Sequence, residues 1–363
     1  DFIKKLEHVD NYSSAGSFRR YKEKSKDLDF IISTTQPLEV QQQLLNIPNK
    51  VKEVAVGDTK VSLELSYDDE TIGVDFRLIE PKAFYHTLQH FTGSKDHNIR
   101  IRQLAKERNE KVSEYGIEQA DGTLLQFQSE EEIYHHFDVS WISPAMREDG
   151  SEFDKDLSNI ISLEDINGDI HITDHSQSLK VANGLQVERL LRQNEEIKKL
   201  NEEYDEIDIY SGTEMDILPD GSLDYDNEVL AQLDYVIAAI HQSFNQSEDE
   251  IMKRLEVACK NPYVRHIAHP TGRIIGRRPG YKPNIEKLMK LAEETNTILE
   301  INANPKRLDL NAETVRKYPN VKLTINTDAH HTNHLEFMKY GVATAQKGFV
   351  AKDRVVNALS REE

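Results

Sequence analysis

The chain has 363 residues, with 45 Lys and Arg against 64 Asp and Glu, a net charge of −19. At about 150 residues per domain, this length accommodates two domains, or three. The acid excess argues against nucleic-acid binding by bulk charge but leaves room for a local basic groove. One cysteine, Cys259, excludes an internal disulfide. The opening DFIKKLEHVD lacks the apolar run of a signal peptide, and the apolar segments are too short to span a bilayer. A membrane enzyme and a disulfide-built module are thereby excluded, and a cytoplasmic location is expected.

In chain order, residues 1–80 read as strands with short helices between them. LDFIIS, KVSLELS and VDFRLI are strand-length apolar runs bounded by turn residues. Residues 81–115 are helical in tone, broken at Phe91-Thr92-Gly93-Ser94. Residues 116–165 carry short strands that lead, from about 146, into a linker, with the single tryptophan, Trp141, expected to anchor packing. From 166 onward the texture changes. Amphipathic helices over 184–204, 247–259 and 283–295 alternate with the strand-like IDIYSG, YVIAAI, RHIAH, TILEIN and VKLTIN. Leu185, Leu190, Ile197 and Leu200 mark the apolar face of the first helix. Ser247 and Glu250 form a capping box for the second, and Pro283 suits the first turn of the third. Strand–helix alternation implies a parallel sheet, open or closed.

Two constellations carry chemistry. In the first half, Asp27 and Asp29 are two residues apart on one strand and project together. Asp75 lies inside the apolar strand GVDFRLI, where an unpaired carboxylate is costly. Three aspartates on adjacent strands make a two-metal site for phosphoryl transfer; the plainer reading is salt bridging to Arg77 or Lys26. Upstream, Gly16 lets backbone N–H groups approach a phosphate, Ser17 adds a hydroxyl, and Arg20 adds a bidentate donor.

In the second half, apolar segments repeatedly end in ligand-type residues: His171, His175, Glu214, His241, His269, Asp328 and His330. In a parallel barrel, strand C-termini converge on one mouth. A lone histidine at a strand end is more often an ordinary polar residue; its recurrence at successive strand ends points to a metal site. Nitrogen and oxygen donors without sulfur suit Zn²⁺, Mn²⁺ or Fe²⁺. His266, His331 and His334 read as neighbours of this set. Two basic runs, 95–111 and 272–282, could line a groove or be solvated faces.

The run TDHSQSLKVANG, with GTEMDILPDG, IAAIHQSF, AHPTGRIIGRR, EINANPKRLDL and INTDAHH, resembles the PHP (polymerase and histidinol phosphatase) domain over 166–363. It is most similar to the version carried by bacterial family X DNA polymerases (PolX). Gly16-Ser17 ahead of Asp27-x-Asp29, with GVDFRLI and Phe91-Thr92-Gly93-Ser94, resembles the nucleotidyltransferase palm and thumb of the same family over 1–145. The resemblance implies an α+β palm (1–80), a small α/β thumb (81–145), a linker (146–165) and a distorted (β/α) barrel of the PHP type. It implies DNA polymerisation with Mg²⁺ at Asp27, Asp29 and Asp75, and deoxynucleoside triphosphate contacts from Gly16, Ser17, Arg20, Phe91, Gly93 and Asn98. It further implies DNA contacts from Arg102, and a Mn²⁺- or Zn²⁺-dependent 3′–5′ exonuclease or 3′-end phosphoesterase in the barrel, acting on gapped or primer–template DNA. Arg273, Arg277 and Arg278, close in sequence to His269, are the candidates for gripping the DNA backbone.

Three departures qualify this. The family's opening Asp-x-His-x-His and the following helix and Ser-Asp-Gly loop are compressed here: Asp169-Ile170-His171 runs straight into Ile172-Thr173-Asp174-His175. A βα unit, with one histidine and one aspartate ligand, has no counterpart. A segment absent from the residues given is expected rather than a shorter barrel, which would leave an open edge. Position 73, basic in the vertebrate branch, is Gly73. The family's helix-hairpin-helix modules also lack a counterpart, so polymerisation is expected to be weak. Two competing readings are a small-molecule phosphoesterase of the histidinol-phosphatase type with a relic palm, and an inactive DNA-binding scaffold.

Overall fold

The computed structural model describes residues 2–204 and 206–359 and divides into two units between Leu157 and Ser158. In the first unit the elements are β1 (Asn11–Ala15), α1 (Gly16–Arg19), β2 (Asp27–Ser33), α2 (Pro37–Leu45), β3 (Lys50–Val56), β4 (Lys60–Tyr67) and β5 (Glu70–Ile79). The sheet order is β1-β2-β5-β4-β3. Only β2 and β5 pair in parallel; the other neighbours are antiparallel. Alternation along each strand sorts side chains between two faces. Ile32, Val61, Leu63, Val74, Phe76 and Leu78 pack under Val40 and Leu44 of α2. Ile31 and Ala15 point the other way, against Phe84 and Leu88.

Those last two residues belong to α3 (Phe84–Thr92). It is followed by α4 (Lys95–Glu107), the short strands β6 (Lys111–Val112), β7 (Ile117–Glu118) and β8 (Leu124–Leu125), and α5 (Glu130–His136). The break expected at 91–94 is real. Ser94 caps α4 by accepting from the His97 amide, and Gly93 has φ +70°. Trp141 is not the anchor the sequence suggested: it remains 37% exposed, and its neighbour Ile142 is buried instead.

The second unit carries β9 (Ile170–Ile172), α6 (Val187–Glu203), β10 (Ile209–Asp216), α7 (Asn227–Leu230), β11 (Tyr235–Ala239), α8 (Glu248–Lys260), β12 (His266–Ile267), α9 (Ile285–Thr295), β13 (Ile298–Asn302), α10 (Ala312–Lys317), β14 (Leu323–Asn326) and α11 (Met338–Lys347). The six strands form one parallel sheet in the order β14-β13-β12-β11-β10-β9. It curls into a half-barrel. β11 (YVIAA) is a continuous apolar run, as in a sheet covered by helices, whereas β10 (IYSGTEMD) interleaves polar residues that stay buried. His171 and Ile172 are consecutive residues of β9, which lies at one edge of the sheet.

Local signals explain most helix starts. Ser247 and Glu250 close a reciprocal capping box on α8. On α9 the cap is Asn284, accepting from the Lys287 amide, so Pro283 falls outside the helix rather than in its first turn. On α6, Leu190 and Ile197 are buried, but Leu200 stays 40% exposed. No helix among the described residues is long and apolar enough to cross a membrane.

Candidate active sites

The parallel pairing of β2 and β5 sets the first site. Asp29 lies directly opposite Asp75, and Asp27 opposite Gly73. All three carboxylates therefore share the sheet face that carries Ile31. Asp29 is the most confined. Burial, then the charges of Asp27 and Asp75, push its carboxyl above the usual range. Asp75 goes the other way. Burial opposes its ionisation, but hydrogen bonds from Lys60 and Ser62 on β4 hold its carboxyl below the ordinary value. The cation touching Asp75 is Lys60, whose Nζ is 2.6 Å from Oδ2. It is neither Arg77 nor Lys26, the partners weighed from sequence. Arg77 instead lays its guanidinium over the Phe91 ring at 3.7 Å.

Gly16 opens α1 against this face with φ +61°, and a Cβ there would stand 2.3 Å from Asp29 Oδ2. Only glycine permits this approach. Ser17 Oγ donates to Ser25 Oγ at 2.9 Å. Arg20 Nη1 donates to the Thr92 carbonyl, which ties the Gly-Ser turn to the Phe-Thr-Gly-Ser break. A Cβ at Gly93 would sit 3.2 Å from that same Nη1. Asn98 is held by its own neighbours: its Nδ2 donates to His90 O, and its Oδ1 accepts from Gln89, both at 2.8 Å. Arg102 lies on the exposed face of α4.

The second site lies at the C-terminal end of the parallel sheet. His175 is bridged in register to Glu214. His241, His269 and Asp328 each follow a strand end by two residues. Glu214 sits at the centre. Its Oε1 is 2.9 Å from His241 Nε2 and 2.8 Å from His269 Nε2, and its Oε2 is 3.5 Å from His175 Nδ1. Burial resists a charge on Glu214, yet the two imidazoles keep its carboxyl well below the ordinary value. His175, Glu214 and His241 offer ligand atoms within 4.8 Å of one another. The His330 ring lies 6.4 Å from that of His175, and His330 Nδ1 is 2.9 Å from the Asp328 carbonyl. Asp328 Oδ2 accepts from Asn302 at 3.1 Å and faces Arg307 Nε at 3.3 Å.

These residues fit a divalent cation. His175 Nδ1 is buried without a hydrogen-bond partner, 3.5 Å from Glu214 Oε2, a state that costs free energy unless something else coordinates it. The donor set is nitrogen and oxygen throughout. His171 is the exception. It lies in the body of β9 opposite Tyr210, four residues upstream of His175. Its ring packs 4.8 Å from Tyr210 and 4.6 Å from Tyr235. At about 3.3 Å per residue, that sets it roughly 13 Å up the strand from the His175–Glu214 bridge.

Asp216 was not singled out from sequence. Its Oδ1 pairs with His241 Nδ1, and its Oδ2 accepts from Ser178 Oγ at 2.8 Å. Burial alone would lower the His241 pKa, but Asp216 and Glu214 together raise it to about 9. The signal was present in GTEMD, since Glu214 and Asp216 share a strand face. Glu300 was also missed. Burial, then Asp328, raise its carboxyl to about 8, while it accepts from the His269 amide and from Asn326.

The basic loop after His269 is partly spoken for. Arg273 donates from Nε to Arg307 O at 2.8 Å and from Nη2 to Leu308 O. Arg278 donates to Gly272 O at 3.2 Å and lies over the Phe244 ring at 4.2 Å. Arg277 is exposed.

The family model of the DNA polymerase beta thumb matches residues 87–148. A DNA polymerase/3′-5′ exonuclease PolX of Bacillus subtilis is 50% identical over 396 positions, covering all of this chain and 69% of that protein. That stretch is 33 positions longer than the 363 residues here. A probable phosphatase of Thermoanaerobacter sp. is 28% identical over 173 residues, 44% of this chain and 68% of the relative. A repair DNA polymerase X of African swine fever virus is 30% identical over 112 residues, 30% of this chain and 63% of the relative. The full-length match at half identity agrees with a carboxylate-bearing mixed sheet followed by an imidazole-rimmed parallel one, and the chain belongs to the bacterial family X DNA polymerases.

Proposed function

We propose that this chain is a two-site DNA enzyme: a template-directed nucleotidyltransferase in the first unit and a metal-dependent 3′–5′ exonuclease in the second. The observation that carries the reading is the juxtaposition of Asp29 with Asp75 across β2 and β5, with Asp27 on the same face. It is joined to a Glu214-centred histidine cluster at the strand ends of a parallel sheet. Within this reading, residues 1–80 are palm, 81–145 thumb, 146–165 linker and 166–363 the PHP hydrolase. The substrates are primed or gapped DNA and deoxynucleoside triphosphates.

Divalent cations, when bound, neutralise phosphoryl charge and lower the pKa of the attacking oxygen; Mg²⁺ suits the three palm aspartates, and Mn²⁺ or Zn²⁺ the barrel. The chain's own groups do the rest, mostly by positioning. Asp27 and Asp29 would hold the cation that accompanies the triphosphate. Ser17 and Arg20 flank it. Phe91, Gly93 and Asn98 form the wall beside the incoming nucleotide, and Arg102 offers its charge to the template. Asp75, kept ionised, is suited to face the primer 3′-hydroxyl. In the barrel, His175, Glu214, His241, His269, Asp328 and His330 form the ligand set. Asp216 orients His241, and Arg277 is the arginine best exposed to meet a phosphate. His171 is left out of the set on distance.

The test uses one purified protein and two substrates. Asp75→Asn should abolish primer extension and leave Mn²⁺-dependent degradation of a 3′-labelled oligonucleotide intact. Glu214→Gln should do the reverse and lower bound transition metal. The probable phosphatases among the relatives favour a second reading, a small-molecule phosphoesterase. Hydrolysis of a phosphate monoester without any cleavage of the oligonucleotide would establish that reading instead.

A further inference from the structure

On the face shared by Asp27, Asp29 and Asp75, the only cation in contact with the third carboxylate among the described ion pairs comes from a different strand. Lys60 and Ser62 sit on β4, which pairs antiparallel with β5. Ser62 is opposite Asp75, and Lys60 is opposite Arg77. Residues two apart on a strand share a face. Lys60 and Ser62 therefore project to the same side as Asp75, and Lys60 Nζ reaches Oδ2 at 2.6 Å. Position 73, the neighbour of Asp75 on its own strand and face, is glycine. A Cβ there would meet only Asp27 Cβ, at 3.8 Å. Position 73 therefore sets no β5 side chain beside Asp75 and borders Asp27 instead, and Arg77, on its other side, is engaged over Phe91.

Resting on the palm reading above, we propose that Lys60 is a positioning residue for nucleotidyl transfer. It grips Asp75 Oδ2 from β4, so that Oδ1 keeps one orientation when the primer hydroxyl arrives. The pair is partly exposed, with side chains 38% and 28% accessible. An exposed pair of this kind contributes little to stability, so its consequence lies in geometry. A lysine is well suited to this task, since its compact ammonium on a flexible stem can follow the carboxylate as cations and substrate enter.

The experiment compares wild type, Lys60→Met, Lys60→Arg and Asp75→Asn of the whole chain. It measures kcat and KM for a deoxynucleoside triphosphate in primer extension, and the Mg²⁺ concentration giving half-maximal rate. Losing an outer partner of a ligating carboxylate typically costs about 10- to 100-fold. Lys60→Met should therefore lower kcat by about that factor and raise the Mg²⁺ requirement. KM for the nucleotide should stay within about twofold, which a collapsed palm would not allow. Lys60→Arg should recover most of the loss. An unchanged kcat in Lys60→Met, or a lower Mg²⁺ requirement because a competing cation has gone, overturns the proposal while Asp75→Asn remains dead. Extension that survives Asp75→Asn, or is absent from the wild type, overturns the palm reading and this inference with it.

Discussion

Asp216 accepts from His241 Nδ1 and so turns His241 Nε2 toward Glu214 Oε1, 2.9 Å away. A ligating histidine whose second nitrogen is held by a carboxylate has a fixed tautomer and ring orientation, and its metal affinity depends on that partner. Ser178 Oγ in turn fixes the other oxygen of Asp216. Asp216→Asn is expected to weaken Mn²⁺ or Zn²⁺ retention by about 10- to 100-fold. Metal content after dialysis and exonuclease rate against added Mn²⁺ measure it, and primer extension should not change. Equal metal retention in the variant would leave Asp216 a purely structural partner.

Gly16 governs how closely α1 approaches the palm aspartates. Its φ of +61° and the 2.3 Å separation that a Cβ would have from Asp29 Oδ2 act together. Backbone strain alone costs about 1–2 kcal/mol for an L-residue in this conformation. Asp29 must also move, and with it the facing pair Asp29–Asp75. Gly16→Ala is expected to reduce primer extension at least tenfold while lowering the unfolding midpoint only modestly. Steady-state kinetics and a urea titration read the two effects separately.

How much of this was legible beforehand depends on the range of the interaction. Asp27, Asp29 and the strand around Asp75 were readable because period-2 alternation puts i and i+2 on one face. The recurrence of histidines at strand ends was readable because parallel strands deliver their C-termini to one rim. His171 was read by the same logic. It sits in a strand-like segment, but its distance from the rim depends on the register of β9 against β10, which spacing does not encode. Lys60 was invisible because it reaches Asp75 only through antiparallel pairing of β4 with β5. Of the three loop arginines, Arg273 turned out to serve the backbone of 307–308. Positive charge in a sequence does not reveal whether it faces solvent or a buried carbonyl. Trp141 misled because size suggests burial, while its neighbour Ile142 fills the core.

Within the first unit, Glu130 links two elements far apart in sequence. Its Oε2 faces Arg19 of α1 at 2.5 Å, and its Oε1 accepts from Arg147 Nη1 at 2.7 Å. Burial would raise its carboxyl, but Arg147 and then Arg19 bring it down to about 2. The folded value lies below the ordinary 4.5, so the pairing stabilises the fold fully above pH 4.5. That stability is lost as pH falls from there through about 2. The shift corresponds to ~3 kcal/mol. Glu130→Gln leaves Arg147 buried without its counter-charge and should cost about 3–5 kcal/mol at pH 7. Urea midpoints should differ most between pH 5 and 7 and converge as pH drops toward 2. A difference independent of pH would mean that packing, not charge, sets the cost.

The loop that follows His269 separates a structural arginine from one offered to solvent, and the two should fail differently. Arg273 supplies donors to the carbonyls of Arg307 and Leu308. Losing them leaves two part-buried acceptors short of a partner, at about 1 kcal/mol each. Arg307 also faces Asp328, so Arg273→Ala should lower both the unfolding midpoint and metal retention. Arg277 is exposed, and its removal should leave stability within about 0.5 kcal/mol. If it contacts a phosphate, Arg277→Ala should weaken binding to oligonucleotides of every sequence and reduce the slope of log affinity against log salt by about 1. Fluorescence anisotropy over a salt series measures that slope. An unchanged slope would remove Arg277 from the DNA path and leave the basic run 272–282 as a structural loop whose charge serves the fold alone.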